Sequence, residues 1–571
     1  MDIQRLLLFA VFAFSGLYLW EAWQADQRLK HPQPVAQSAA SHQASGIPDV
    51  PTPDSAALAA TAANSLSSAG VPAAVNGSAA PDLPAIKITT DLYSVEIDPV
   101  GGVITQMALL KQPDALDKTK PYYVLQKNSE RTFVAQAGLT GDGMPNHRTM
   151  YEVLSSQRDL NDGEKSFDLR LGATTANGDR VEQILTFHRG SYVIDVTFKI
   201  TGASALASAP YAYFQFTRDT KLSSKRSSMA PSAYTGPVVF NETDKFKKVD
   251  FEELNKLAAD PSRKSPYTPT NNNGWVAMIE HYFVTAWALP DSNTTQREFY
   301  TRKIGDGLYS AGMLLPMQSL ASDAGAEVTV PMYAGPQEQN VLSALAKDLN
   351  RVVDYGMFTV IAAPMFWLLK FFHNLLDNWG WSIIAMTFLI RIVFYPLNAA
   401  AARSMGKMRV VAPRLKELQE QFKDDKQQMQ MKMMEMYRQE KINPLGGCLP
   451  ILIQMPFFIA LYWVLLSAAE LRYAPWIGWI SDLSAPDPWY LLPVLYAISA
   501  FLQMRLSPTP ISDPMQARMM QMMPIAFSVL FLFFPAGLVL YWLVSNILQI
   551  AQQWHMNRML EREAAAKKRD S

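Results

Sequence analysis

The sequence predicts a polytopic α-helical membrane protein that also carries one large soluble β domain. Three observations predict it. Residues beyond about 350 fall into a series of apolar runs, residues 84–340 alternate polar and apolar positions, and lysine and arginine are segregated into particular loops. The chain has 571 residues and a formal net charge of +0, so its overall balance does not point to nucleic acid. Its one cysteine, Cys448, excludes a disulfide framework and any cysteine-based metal cluster. Cys448 lies at a predicted span end and reads as a packed, inert thiol.

The first element is the short apolar stretch Leu6–Trp20. Trp and Glu follow it where a small-x-small cleavage site would stand, so residues 1–25 read as an uncleaved transmembrane signal anchor. Residues 26–83 are rich in Ala, Ser and Pro. Too little apolar area is available there to offset the entropy of ordering, which predicts a flexible linker.

Residues 84–345 follow as the β domain. Tyr93, Val95 and Ile97 alternate with Ser94, Glu96 and Asp98, and Ile194, Val196, Phe198 and Ile200 repeat the pattern. Period-two alternation marks strands with one buried face, and Gly101-Gly102 and Asn177-Gly178 mark turns between them. A large sandwich fits. Glu280-His281 is the one acid–histidine neighbour worth testing as a catalytic pair, and a histidine at a strand edge or in the core is the plainer expectation.

Within residues 350–377, the apolar run Met357–Leu369 is about 13 residues long before Lys370 and His373 intervene. A hydrocarbon layer is about 30 Å thick, so this run is too short to cross it and suits an amphipathic helix lying in the interface. The spans expected downstream are 380–397, 449–467, 489–505, 519–534 and 538–555, six in all with the N-terminal anchor. Loop 398–448 carries ten Lys and Arg, loop 468–488 carries only Arg472, and the tail 556–571 ends in Lys567-Lys568-Arg569. The positive-inside bias therefore places 398–448 and the tail in the cytoplasm, with the β domain across the membrane. In a bacterium that is the inner membrane and the periplasm. Span count adds 506–518 and the N-terminus to the cytoplasmic side, although Arg28 and Lys30 after the anchor do not favour that placement of the N-terminus.

Loop 398–448 reads as a cytoplasmic helical hairpin. Met408, Val411, Leu415, Leu418 and Phe422 recur at three- and four-residue spacing, as do Met429, Met433 and Met436 after Asp424-Asp425. Pro413 is expected to kink or restart the first of these helices. Two readings stand for this hairpin: a solvated structural element, or a methionine surface that receives varied apolar segments.

Arg391 is the most informative residue. It interrupts the apolar run Trp381–Tyr395, and a guanidinium at that depth costs from about 3 to 10 or more kcal/mol. None of the other candidate spans contains Asp or Glu, so the expected setting is a wet, positively charged hollow. Thr387, Gln454, Gln503, Gln521 and Asn546 are uncharged polar residues in or near the spans, able to line such a hollow or to join helices by hydrogen bonds. No phosphate-cradling glycine loop, zinc spacing or Ser/His/Asp arrangement is present, which argues against an enzyme and against a cofactor or metal. Without membrane carboxylates, a proton- or sodium-coupled carrier is also disfavoured.

The stretch Asn443–Pro456 (NPLGGCLPILIQMP), together with Arg391, Asp513–Gln516 (DPMQ) and Phe534–Trp542 (FPAGLVLYW), resembles the YidC/Oxa/Alb family of membrane protein insertases. The likeness is strong over about 355–555, and the layout before it is similar to the Gram-negative form with its periplasmic β-supersandwich. The resemblance implies a five-helix core with a hydrophilic groove that opens to cytoplasm and lipid. It places the groove arginine at Arg391 and its neighbouring threonine at Thr387, and it maps the apolar slide to Met455, Pro456, Phe458, Tyr541 and Trp542, with Gln454 beside it. Where a second tyrosine is common in the family this chain has Trp542, so an aromatic surface is kept and a hydroxyl lost. The implied partners are nascent membrane proteins, the Sec translocon, the lipid bilayer, and the ribosome through the cytoplasmic loops and basic tail. An anion channel or transporter, a sugar-active periplasmic enzyme built on the β sandwich, and a membrane assembly scaffold are the competing classes.

Overall fold

The structure is a computed structural model that describes residues 84–114, 117–202, 210–221, 234–260, 262–319, 325–355, 358–422, 425–440, 449–506 and 528–569. The anchor and linker of 1–83, residues 441–448 with Cys448, the Asp513–Gln516 motif, Gln521 and most of the 519–534 span lie outside the described residues.

Alternation in the sequence becomes two antiparallel sheets. Along the nine-stranded sheet the strands run 86–89, 93–98, 103–113, 121–127, 132–139, 211–219, 308–316, 297–305 and 270–271. The ten-stranded sheet runs 245–248, 236–241, 275–280, 283–288, 325–336, 193–201, 180–188, 166–174 and 152–153, with 318–319 pairing beside 325–336. Tyr93, Val95 and Ile97 are buried while Ser94, Glu96 and Asp98 are only half-buried, as a period of two requires. Between the sheets, Phe214 and Phe216 of the first meet Trp287 of the second at 5.3 and 5.4 Å between ring centres. Each such side chain contributes roughly 1.5–3 kcal/mol by leaving water.

Glu280 and His281 are structural. The Glu280 carboxylate accepts a hydrogen bond from Arg131 Nη2 at 2.5 Å and lies 3.7 Å from Arg218 Nη1, all three residues being buried. His281 Nε2 stands 3.1 Å from the Leu466 carbonyl oxygen in the helical half.

Nine α-helices are described. Helix α1 (Phe251–Ala259) and α2 (Gln339–Leu345) belong to the β domain, where Leu342, Leu349 and Val352 pack against Val238, Trp275 and Ala277. The helical half comprises α3 (Thr359–Leu376), α4 (Trp379–Val393), α5 (Tyr395–Gln421), α6 (Lys426–Gln439), α7 (Leu449–Ser467), α8 (Leu491–Leu506) and α9 (Ala536–Arg569).

Helix α3 is longer than its apolar run suggests. It absorbs Lys370 and His373 and reaches 18 residues, enough by length and composition to cross a membrane. Its ends, however, are held by the last residue of α7 and by the connection that follows it. Ser467 Oγ at the end of α7 donates to the Asp354 carbonyl just before α3, and Asn378 Nδ2 just after α3 donates to the Trp476 carbonyl, both at 3.1 Å. Ala362, Met365, Phe366 and Leu369 are buried beneath it, while Val360, Trp367, Phe371 and Leu375 are exposed on its other side.

The same connection, residues 468–490, receives the starts of three further helices. An added Cβ at Gly380 in α4 would stand 2.1 Å from Trp476 Cδ1, so the close approach demands glycine. Asp487 caps α8, accepting from Trp489 N at 3.0 Å and Leu492 N at 2.7 Å. At α9, Ala536 N and Gly537 N donate to the carbonyls of Ala485 and Leu483 at 2.7 and 2.9 Å.

Helix α5 is continuous through Pro413, so the helix does not restart there. Val411 and Leu415, buried on either side of the proline, hold the helix on course against the lost donor. The break falls instead at Phe394, where α4 and the start of α5 meet at 57°. Pro396 lacks an N–H and crowds the Ile392 carbonyl four residues earlier, so α4 cannot run on. In α6, Met429, Met433 and Met436 share a half-buried stripe.

Candidate functional site: a buried guanidinium at a helix bend

Two helices that start on one connection run inward together and meet at Arg391. Arg391 is twelve residues from Trp379, about 18 Å along α4 at 1.5 Å per residue. Its side chain is only 9% exposed. Nε and Nη2 donate to Ser545 Oγ on α9 at 3.1 and 2.5 Å, and Nη2 also reaches Gln549 Oε1 at 3.3 Å. All of these partners are neutral, so the positive charge is oriented without being cancelled.

Next to the bend at Phe394 a cleft of about 290 Å³ lies beside the guanidinium. Phe388, Ile392, Tyr395 and Leu548 give it apolar walls, and Arg391 and Gln552 give it polar ones. Among the described residues no group of three or more His, Cys, Asp or Glu could hold a metal ion.

The other expected site residues divide. Thr387 is buried and returns its hydroxyl to the Ile383 carbonyl at 2.6 Å, so it satisfies its own helix. Tyr541 is 2% exposed, and its hydroxyl interacts with the side chains of Gln454 and Ser545, which links Gln454 to the arginine's neighbour. Phe458 stacks on Trp542 at 4.8 Å between ring centres, and Trp542 stacks in turn on Phe531 at 4.0 Å. Pro456 is half-buried, and Met455, 43% exposed, presents open apolar surface. Asn546 turns away from the cleft and donates to Ser499 Oγ of α8 at 2.9 Å, a plain helix-to-helix bond.

Ser545, Gln549 and Gln552 were not singled out in the sequence. The available signal was their spacing of four and then three residues, which puts three polar side chains on one face of an otherwise apolar helix.

A family model described as 60Kd inner membrane protein matches residues 371–563, and one described as YidC periplasmic domain matches residues 85–368. Fold and matches together define a helical inner-membrane protein bearing a β-sandwich domain of the periplasmic type. The chain is 46% identical to the membrane protein insertase YidC of Nitrosospira multiformis, with 99% of this chain and 98% of that one covered. It is 44% identical to the membrane protein insertase YidC of Aromatoleum aromaticum, with each chain covered completely at 100%. The crystal structure of an active YidC insertase with its first transmembrane domain resolved is 16% identical with a TM-score of 0.38, covering 83% of this chain and 92% of that one. This chain belongs to the YidC family of membrane protein insertases.

Proposed function

We propose that this protein inserts integral proteins into the inner membrane by drawing a polar tail toward Arg391 while the attached apolar segment passes into lipid. One observation carries the reading: a deeply placed guanidinium, oriented by neutral partners, stands at the mouth of a cleft with apolar walls. Its uncancelled charge attracts acidic residues in the tail more strongly than bulk water would allow. The apolar segment gains about 25 cal/mol per Å² of apolar area removed from water. Exposed Met455 is the first soft contact for that segment, with the Phe458–Trp542 stack behind it. No covalent step or cofactor is required.

The arrangement in the membrane belongs to the same reading. The N-terminal anchor and five further helices make six spans, with α5 and α6 as a cytoplasmic hairpin and the β domain in the periplasm. The ten basic residues of loop 398–448 favour this orientation. The attachment of the two α3 ends to Ser467 and Trp476 favours a helix lying along the periplasmic interface. Nascent membrane proteins and the bilayer are the immediate partners. The Sec translocon, the ribosome at the cytoplasmic loops and basic tail, and a chaperone role are proposed by the family likeness.

Crosslinking from positions 455, 458 and 542 to a stalled nascent helix tests the reading, and contact at 455 is expected first. A sustained anion current from the purified protein in liposomes would replace it with the channel reading.

A further inference from the structure

The cleft beside Arg391 contains a second polar group that the guanidinium does not use. Gln552 lies three residues beyond Gln549 on α9 and lines the cleft together with Arg391. Its Nε2 is buried and has no hydrogen-bond partner among the described residues. Leaving a buried amide donor unmatched is costly, so such an atom marks a place where a ligand group is accepted. Arg391 presents a complementary feature. With Nε and Nη2 engaged by Ser545 and Gln549, Nη1 is the guanidinium nitrogen without a hydrogen-bond partner among the described residues. The remaining walls, Phe388, Ile392, Tyr395, Pro396 and Leu548, bring no carboxylate. Two donors, one of them charged, and no competing anion define a site for a single oxyanion.

We propose that Gln552 is a specificity-determining residue that, with Arg391, binds the carboxylate of an Asp or Glu side chain in the polar tail being moved. One carboxylate oxygen takes Arg391 Nη1 and the other takes Gln552 Nε2. The assignment rests on the insertase reading, which already has Arg391 attract acidic residues, and adds Gln552 as the residue that distinguishes a carboxylate from a neutral group. The division of labour follows from range. Coulomb attraction falls off slowly with distance and draws in any nearby anion, whereas an amide hydrogen bond needs its partner within about 3 Å. Arg391 therefore supplies attraction, and Gln552 supplies discrimination between a carboxylate and its neutral amide analogue.

The test uses the full-length protein in vesicles of phosphatidylethanolamine and phosphatidylglycerol. The substrate is a single-span protein whose short translocated tail carries one Asp, compared with the same tail carrying Asn. The readout is the ratio of the two insertion rates, followed by protease protection of the tail. Gln552→Leu, close in volume and without a donor, lowers the Asp-to-Asn ratio by roughly tenfold, as expected for losing one hydrogen bond to a charged group. Gln552→Glu, which adds a like charge, lowers it further. An unchanged ratio in both variants overturns the proposal. Contact is tested separately by placing Cys at 552 and next to the tail Asp: a disulfide in the stalled complex is expected, and its absence overturns the assignment. Arg391→Ala is the control for the underlying reading. If that variant leaves the ratio unaltered, attraction by Arg391 fails independently of the result at Gln552.

Discussion

Arg391 Nη2 donates to Ser545 Oγ across 2.5 Å, joining α4 to α9 by a bond in which only one partner is charged. A carboxylate at 545 would neutralise the arginine, and an alanine would leave it loose; the hydroxyl orients the charge and preserves it. Ser545→Ala is therefore expected to destabilise the detergent-solubilised protein by about 1–3 kcal/mol in thermal unfolding, the cost of a buried donor losing its partner. Ser545→Thr, which keeps the hydroxyl, should recover most of the loss.

Charge at 391 is predicted to matter more than shape. Arg391→Ala should slow insertion of substrates with short acidic tails by at least about tenfold, because a unit-charge pair at 4 Å is worth about 1–4 kcal/mol between water and a partly screened site. Arg391→Lys should retain most of the rate. Full recovery by Arg391→Gln in the same reconstituted assay would remove the electrostatic part of the account.

The β domain depends on a buried charge cluster. Glu280 faces Arg131 at 2.5 Å and Arg218 at 3.7 Å. Glu280→Gln would strand two guanidinium groups away from water, and a loss of about 3–5 kcal/mol is expected in urea unfolding of the full chain followed by tryptophan fluorescence.

Arg472 is one tie between the two halves, beside Tyr473, whose hydroxyl meets the Pro113 and Asp114 carbonyls at 3.1 Å. Arg472 Nη2 donates to the Pro113 carbonyl at 2.8 Å, and its guanidinium stands 5.0 Å from the Phe283 ring centre and 5.5 Å from that of Tyr122. Arg472→Ala is predicted to loosen the β domain from the 468–490 connection. Limited proteolysis should then cut that connection faster, while the domain's own urea midpoint stays put. The contact should weaken by about 1–2 kcal/mol, the value of a partly desolvated cation over aromatic rings.

Glu470 lies in the same connection. Burial, reinforced by the charge of Glu338, raises its carboxyl above the usual 4.5. The folded state then holds its proton to higher pH than the unfolded chain does. Its contribution to stability is full below about 4.5 and falls as pH rises from there through the elevated folded value. Thermal melts at a series of pH values should show the slope, and Glu470→Gln should flatten it while raising the midpoint at neutral pH.

Much of this was legible in the sequence because the signals were coarse. Strict alternation at Tyr93–Asp98 announced a half-buried strand, and a lone cation in the Trp381–Tyr395 run pointed to the residue proposed as the site. Partners without charge gave no such contrast: Ser545, Gln549 and Gln552 look like ordinary polar residues until the helix period places them together. Proline positions misled for a related reason. Pro413 breaks nothing because buried neighbours on both sides hold its helix, whereas Pro396 lies where α4 meets no such constraint and the chain turns. Helix α3 falls within the 350–377 expected for it and outruns its apolar run, because Lys370 and His373 end an apolar tally without disturbing the backbone bonds of a helix.

Helix α9 is a single rod of 34 residues, about 51 Å long, pinned at its start by Leu483 and Ala485 and bearing the arginine clamp a quarter to a third of the way along. Pivoting it by roughly 5° about that start would swing its basic end by about 4 Å and carry position 545 by about 1 Å, given a rise of 1.5 Å per residue. A displacement of that size would stretch the 2.5 Å hydrogen bond toward the outer limit of such a bond, about 3.5 Å. Whatever docks at the far tip therefore holds leverage over the grip on Arg391 without touching it.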